Sequence, residues 1–314
     1  QFPSLLTGRR YYYSFFRKYN VVRHDIDFID FKEINKNDIV ILGGSGLFYV
    51  TESFNTNINR VLCLCDNVIA WSAGFNTHNE RWGENYERTF TEIDMSKFKY
   101  VTIRYFQHPS GIEYLPCPSC LGLYINEDYT IKRKYAVIYH KDFREIERLG
   151  FATMSNSESI ERINEFILSS EVLITNSYHC AYWGLLLGKK VIVVNKWSTK
   201  FDYFKYKPEF VDINWEDESK IRIEKKINDA YIAAKTYPHY LEESIKINDM
   251  FFERIKHLIF ELGFENDDGY GIFYLNNEIK SWRLESTISK TMWLENELLK
   301  LMSEMRRVKD DTLN

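Results

Sequence analysis

Short apolar segments, each followed by small or polar residues, recur along the whole chain. In the first half they lie at 20–25, 38–42, 67–71 and 100–104. In the second half the same pattern occurs at 135–139, 171–175 and 190–195. Apolar runs of this length, ended by turns, are typical of strands in a parallel sheet that is covered on both faces. The pattern therefore predicts an α/β fold.

Helical periodicity appears between and after these strands. Segment 157–169 places isoleucines on one stripe and begins with Ser157 as a predicted cap. Segment 177–188 predicts a loop that enters a helix ended by glycine, and 237–262 predicts a long amphipathic helix. The strands and helices together predict two Rossmann-like domains that face each other across a cleft, because each half of the chain repeats the pattern.

The predicted boundaries divide the chain into three parts. Residues 1–115 form an N-terminal α/β domain, 116–265 form a C-terminal α/β domain, and 266–314 form a helical tail. If the chain transfers a chemical group, the first domain is expected to bind the acceptor of that group and the second its donor. Within the tail, 273–279 is interpreted as a small strand or hairpin arm. Segment 282–308 carries a short heptad pattern, which fits either self-association or packing against the same chain.

Composition excludes several classes of protein. The 314 residues include 41 Lys+Arg and 45 Asp+Glu, for a formal charge of −4, which argues against a generally basic nucleic-acid binder. The apolar runs are far shorter than the roughly 18–20 residues that a membrane-spanning helix requires. The basic segments 9–10 and 132–134 leave open a peripheral contact with an anionic membrane, although charge runs usually form a solvated face.

The five cysteines do not resemble a secreted disulfide framework, because their number is odd and the chain is long. A cytoplasmic location is therefore predicted. Cys117 and Cys120 form a C-x-x-C pair, but Cys63 and Cys65 have the wrong spacing to complete a zinc site. The tripeptide 25–27 reads Asp-Ile-Asp and has no glycine loop beside it. Neither a metal nor a cofactor is predicted.

Candidate functional residues follow the predicted strands. Because ligands in parallel sheets bind at the carboxyl ends of the strands, residues far apart in sequence become neighbours there. In the first half these residues are Gly43, Gly44, Gly46, Gly74, Asn76, His78 and Arg104, and His108 follows shortly after Arg104. In the second half they are Asn176, Ser177, His179, Ser198 and Lys200.

Four segments resemble the polysaccharide pyruvyl transferase family when taken in order. They are Asp-Ile-Val-Ile-Leu-Gly-Gly-Ser-Gly at 38–46, Ala-Trp-Ser-Ala-Gly-Phe-Asn at 70–76, Val-Thr-Ile-Arg at 101–104, and 173–194 with its Thr-Asn-Ser-Tyr-His-Cys core. The resemblance extends over about 38–262 and implies a GT-B-like fold and a transferase. In the family this loop usually reads Arg-Leu-His or Ser-Phe-His. This chain has Ser177-Tyr178-His179 and therefore lacks the arginine that in some members would face a phosphoenolpyruvate carboxylate.

The chemistry assigns roles to these residues. A hydroxyl must lose a proton, which suits histidine, and an anionic donor must be stabilised, which suits cations and helix N-termini. The predicted catalytic residues are His179, Arg104 and His108, and the predicted donor-binding residues are Asn176, Ser177, Ser198 and Lys200. The predicted acceptor-binding residues are Gly43, Gly44, Gly46, Asn76 and His78. Each has an ordinary structural alternative: a hydrogen-bonded histidine, a salt bridge at the domain junction, a tight turn or a solvated loop.

Three functions remain open from the sequence. The first is a transferase of bacterial-type surface polysaccharide assembly that moves pyruvate from phosphoenolpyruvate to a pair of sugar hydroxyls. The second is a GT-B glycosyltransferase with a nucleotide-sugar donor, which the missing arginine favours. The third is a non-catalytic sugar-binding or scaffold module that acts through 282–308. The acceptor expected for either enzyme is a saccharide or a lipid-linked saccharide, in the cytoplasm or at the inner membrane.

Overall fold

A computed structural model describes residues 15–16, 19, 21–26, 29–43, 46–48, 52–75, 92–123, 129–263 and 272–276. It is a mixed α/β structure built on two sheets, and within each sheet the neighbouring strands run parallel. No helix in these ranges is both long enough and apolar enough to cross a membrane.

The first sheet has six strands in the spatial order β1-β11-β2-β3-β4-β5. The strands are β1 (Val21–Asp25), β2 (Ile39–Gly43), β3 (Asn67–Ala73), β4 (Tyr100–Ile103), β5 (Glu113–Tyr114) and β11 (Ile272–Asn276). Helix α1 (Glu52–Leu64) connects β2 to β3. Every residue of β2 and β3 is buried, as expected for central parallel strands covered on both faces.

The second sheet has five strands in the spatial order β10-β9-β8-β6-β7. The strands are β6 (Arg133–Tyr139), β7 (Ala152–Ser155), β8 (Ser170–Thr175), β9 (Lys190–Val194) and β10 (Glu209–Val211). The helices are α2 (Ile160–Leu168), α3 (Tyr178–Leu186), α4 (Lys220–Ala233) and α5 (Tyr240–Glu261). Helix α2 begins two residues later than predicted, because the hydroxyl of Ser159 rather than Ser157 accepts the capping bond, from Arg162 N.

Strand β11 places part of the predicted tail inside the first sheet. It pairs in parallel with β1 on one side and with β2 on the other, so this part of the tail is a strand inside the first sheet rather than a helix. Segment 282–308, for which self-association was considered, lies outside the described residues. The strand at 273–279 was predicted from its apolar residues, but its place between β1 and β2 could not be read from them.

Helix α5, assigned from sequence to the C-terminal domain, packs against the first sheet. The ring of Phe251 lies 5.3 Å from that of Trp71 in β3, and the Trp71 indole Nε1 donates a hydrogen bond of 3.1 Å to Asn248 Oδ1. Asn248 Nδ2 in turn donates to the Pro116 carbonyl at 3.0 Å. One fully buried amide therefore joins α5, the first sheet and the chain that leads to the second sheet.

Replacing Asn248 by Ala removes the partner of two buried groups, the Trp71 indole N–H and the Pro116 carbonyl. We expect the free energy of unfolding to fall by about 2 kcal/mol or more, because unpaired buried polar groups retain their full desolvation cost. Urea unfolding of the full chain measures this. Lys246→Ala, at an exposed position of the same helix, should change stability by less than about 0.5 kcal/mol. Equal stability of the two variants would contradict the role of Asn248.

Candidate active site

The loops at the carboxyl ends of the two sheets meet directly. Arg104 follows β4 of the first sheet, and His179 lies in the first turn of α3, which follows β8 of the second sheet. Arg104 Nη1 lies 3.3 Å from His179 Nε2. Because a guanidinium only donates, Nε2 of His179 accepts this bond and its ring proton resides on Nδ1. A second contact between the sheets is the 2.9 Å hydrogen bond from Phe106 N to the Tyr203 carbonyl.

The backbone of β3 is shaped to admit the Arg104 side chain. A Cβ atom on Gly74 would lie 2.4 Å from Arg104 Nε, so only glycine leaves room for the guanidinium. Two residues earlier, Ser72 adopts a positive φ of 53°, where the register of β3 with β4 shifts. The Ser72 amide donates to Thr102 Oγ1 at 2.9 Å and its hydroxyl donates to the Leu115 carbonyl at 2.8 Å. These bonds hold the bulge that places Gly74 against Arg104.

Arg104 is a buried cation, with 6% of its surface exposed. Its guanidinium carbon lies 5.0 Å from the centre of the Tyr178 ring and 5.6 Å from that of Tyr105, within the range of cation–π attraction. Burial opposes the charge, but the Tyr105 and Tyr178 side chains outweigh burial and keep the pKa of Arg104 raised. Arg104 is therefore charged at any physiological pH.

Lys200 supplies a second buried cation. It lies in the short 3₁₀ turn Thr199–Tyr203, where Ser198 Oγ accepts the Lys200 amide at 3.4 Å. The Lys200 ammonium lies 3.9 Å from the centre of the Trp197 ring and 5.5 Å from that of Tyr178. Burial, reinforced by the charge of Arg104, lowers the pKa of Lys200 to about 7. Since Tyr178 lies beside both cations, Arg104 and Lys200 face one small region.

This region is strongly electropositive. Among the described residues, neither Arg104 nor Lys200 forms an ion pair with a carboxylate, and the nearby Asp202 is paired with Lys196 at 2.6 Å. The first turn of α3 adds backbone amides, and the Ser177 side chain makes no capping bond to them. Burial, followed by the charges of Arg104 and Lys200, holds the pKa of His179 well below its usual range, so its imidazole is neutral.

Asn176 and Ser177 fix the loop that carries His179. Asn176 Oδ1 accepts the His140 amide at 2.7 Å, and its Nδ2 donates to the Phe143 carbonyl at 2.8 Å. Its own carbonyl accepts the Trp197 indole N–H at 2.8 Å. Asn156 Nδ2 donates to Ser177 Oγ at 3.3 Å. The geometry therefore gives Asn176 a positioning role, which differs from the donor-binding role expected from its place in the sequence.

His108 lies among aromatic rings close to the strand ends. Its ring centre is 5.1 Å from that of Phe75 and 4.9 Å from that of Tyr203. The Ser110 amide donates to His108 Nδ1 at 3.2 Å, and burial lowers the pKa of His108 to about 4. A histidine so weakly basic is neutral at physiological pH. These contacts favour the structural alternative for His108 over the expected catalytic role.

The predicted acceptor-binding residues are only partly described. Gly43 is the buried last residue of β2 and pairs with Trp71, and Gly46 is half-buried in the following loop. Gly44, Asn76 and His78 lie outside the described residues. Four of the five cysteines, all but Cys63, are buried, and the described residues contain no group of three or more His, Cys, Asp or Glu side chains that could hold a metal ion.

Comparisons with known proteins add a distant structural similarity. No family model matches the sequence, and no curated protein matches it. Among solved structures, an uncharacterized protein from Klebsiella pneumoniae subsp. pneumoniae NTUH-K2044 is similar, with 14% sequence identity and a TM-score of 0.44. The alignment covers 64% of this chain and 95% of that one.

Two parts of the site were not found by sequence reasoning. The positive φ of Ser72 and the Trp197 ring beside Lys200 both depend on how separate strands meet. Gly74 and Arg104 were expected to be neighbours because each follows a strand of the first half, and the structure places them in contact. Ser72 carried no signal, since serine is an ordinary strand residue in sequence.

The low pKa of Lys200 makes stability depend on pH. Folding lowers this pKa from 10.5 to about 7, so between these values the unfolded chain binds more protons and stability rises with pH. Relative to Lys200→Met, the wild-type chain should therefore gain about 2 kcal/mol between pH 6 and pH 9. Urea unfolding at both pH values measures the difference, with the exposed Lys235→Met as control. An identical pH dependence in the wild-type and Lys200→Met chains would contradict the burial of this cation.

Proposed function

We propose that the chain is a transferase whose donor is anionic, and that it moves pyruvate from phosphoenolpyruvate to a pair of sugar hydroxyls in surface polysaccharide assembly. The observation that carries this proposal is the cluster of Arg104, Lys200 and the first turn of α3. Two buried cations without a carboxylate partner among the described residues are costly unless an anion joins them. In this proposal the two sheets are the two domains of a GT-B-like enzyme.

Phosphoenolpyruvate carries a phosphate and a carboxylate, which suits a site with two cations and helix amides. In the transfer, one sugar hydroxyl adds to C2 of the donor while its C3 is protonated to a methyl group. The second hydroxyl then displaces the phosphate from C2. The products are a pyruvate ketal and inorganic phosphate, and the second hydroxyl proton leaves with the phosphate.

Arg104 can take the place of the arginine that is missing from the loop carrying His179. The segment Ser177-Tyr178-His179 lacks an arginine, but Arg104 places its guanidinium 3.3 Å from His179 from a different strand. This position supports a carboxylate or phosphate contact at the same place. The neutral imidazole of His179 suits either proton acceptance from a hydroxyl or hydrogen bonding to phosphate, and its Nε2 is engaged by Arg104 in this structure.

Glycosyl transfer from a nucleotide sugar would use the same cations for a diphosphate, so it is kept as an outcome of the test. In both cases the acceptor is a saccharide or lipid-linked saccharide. We place the reaction in the cytoplasm or at the inner face of the membrane, where such donors and acceptors meet.

Thermal stabilisation by a donor panel tests the proposal. The panel contains phosphoenolpyruvate and nucleoside mono- and diphosphates with each common base. A ligand at 100 times its dissociation constant should add about 2.7 kcal/mol, a shift of a few degrees in Tm. We expect phosphoenolpyruvate to stabilise the wild-type chain and to have no effect on Arg104→Gln or Lys200→Gln, since each variant loses one charged contact with the donor.

Arg162→Gln is the matched control, because this arginine is exposed on α2, where its guanidinium is paired with Glu158. It should keep the full shift. Stabilisation by one nucleotide and not by phosphoenolpyruvate would replace pyruvyl transfer with glycosyl transfer. If no member of the panel stabilises the chain, the anionic-donor transferase proposal is wrong and a non-catalytic module is favoured.

A further inference from the structure

A groove lies between helix α4, the chain that leads from β6 to β7 and the chain that follows β10. It consists of two adjoining cavities of about 670 and 650 Å³, which share Arg148, Trp215 and Glu218. We call it the Trp215 groove. Helix α4 forms one wall through Ile223 and Asn228, and the start of β7 forms the other. Volumes of this size are in the range of ligand sites, roughly 300–1,000 Å³.

Aromatic faces line the Trp215 groove. Tyr135 and Phe151 lie side by side with their ring centres 4.7 Å apart, and both rings are half-buried. Trp215 is also half-buried, with the guanidinium of Arg148 5.9 Å from its ring centre. By contrast, Trp71 and Tyr182 are buried in the core. The groove therefore offers aromatic faces that a ligand can reach.

Glu218 gives the groove an unused hydrogen-bond acceptor. Only 8% of its side chain is exposed, and it lines both cavities. Its Oε1 accepts the Asn214 amide at 2.9 Å and the Lys226 ammonium at 2.6 Å. Its Oε2 is buried without a hydrogen bond in the described structure, although Arg222 Nε lies 3.6 Å away as an ion-pair partner. A buried carboxylate oxygen of this kind favours a ligand that donates a hydrogen bond.

The charges around the groove are of both signs. The cationic side chains of the lining are Arg148, Lys220 and Lys226, and the anionic ones are Glu145, Asp212, Glu216, Glu218 and Glu224. A strongly charged ligand of either sign would meet repulsion from part of the wall. A neutral ligand with many hydroxyl groups meets no such repulsion. Its hydroxyls can donate to the carboxylates and accept from the guanidinium of Arg148.

We propose that the Trp215 groove binds a neutral saccharide segment, with a sugar ring stacked on the aromatic faces and a hydroxyl donating to Glu218 Oε2. Sugar rings present apolar C–H faces and polar edges, which matches aromatic walls beside buried acceptors and donors. The groove is separate from the Arg104 region, so it serves to hold a glycan chain rather than to carry out chemistry on it.

The inference does not rest on the proposed transfer reaction, because no residue of the groove belongs to the candidate active site. If the chain is a polysaccharide transferase, the groove would hold a part of the acceptor away from the reacting end. If it is a non-catalytic module, the groove would be its binding site.

Nuclear magnetic resonance of the full chain with ¹⁵N-labelled tryptophan tests the groove. The probes are maltotetraose, cellotetraose and chitotetraose, titrated to millimolar concentrations. We expect at least one probe to shift the Trp215 indole signal, assigned with Trp215→Phe, and to leave that of the buried Trp71 unchanged. Asn228→Tyr places a ring into the groove from an exposed helical position, so affinity should fall about tenfold or more.

Lys225→Tyr is the matched control, since it adds the same ring to an exposed position of α4 that does not line either cavity. It should leave affinity unchanged. Arg104→Gln should also bind the saccharide normally, and Asn228→Tyr should keep its response to the donor panel, which separates the two proposals. The inference is overturned if no probe shifts the Trp215 signal, or if binding survives Asn228→Tyr.

Discussion

The burial of the Arg104 guanidinium between the two sheets is the constraint on which the site depends. Removing a charge from water is expensive, and the usual remedy is a buried carboxylate. The described part of this chain instead provides the Tyr105 and Tyr178 rings and the acceptor Nε2 of His179. Within the described structure Arg104 Nε has no hydrogen-bond partner, so the guanidinium retains a donor for a ligand. Such an arrangement is better suited to a protein that completes the charge balance with an anionic ligand.

Several features of the structure follow from accommodating this one side chain. Gly74 must lack a Cβ, and the bulge at Ser72 must turn β3 so that Gly74 faces the guanidinium. The charge of Arg104 then acts on its neighbours, since it disfavours the protonated forms of Lys200 and His179. An anion placed between the cations would reverse this effect on Lys200. Binding and protonation at the site are therefore coupled.

Apolar runs were sufficient to predict most of the buried strands, because strands such as β2 and β9 are apolar over most of their length. They did not reveal β5 and β10, which are only two and three residues long, or β7, whose residues are half-buried or exposed. Helix α4 also escaped prediction, since only Ile227 and Ala230 are buried in it. The insertion of β11 between β1 and β2 depends on contacts distant in sequence, to which local patterns are insensitive.

The same limit applies to the site. Strand-end position was enough to select Arg104, His179 and Lys200, because parallel strands bring their carboxyl ends to one edge. It could not distinguish these residues from Asn176, which is used to hold a loop, or from His108, which is surrounded by aromatic rings. That distinction requires burial and hydrogen-bond partners. The aromatic groove beside α4 was missed for a similar reason, since Tyr135, Phe151 and Trp215 are far apart in sequence.

A crystal structure of the full chain soaked in phosphoenolpyruvate tests the central claim most directly. The account predicts that an anionic group of the donor lies within hydrogen-bond distance of both Arg104 and Lys200, beside the first turn of α3. A carboxylate of the protein paired with the Arg104 guanidinium, with no donor bound there, would contradict it.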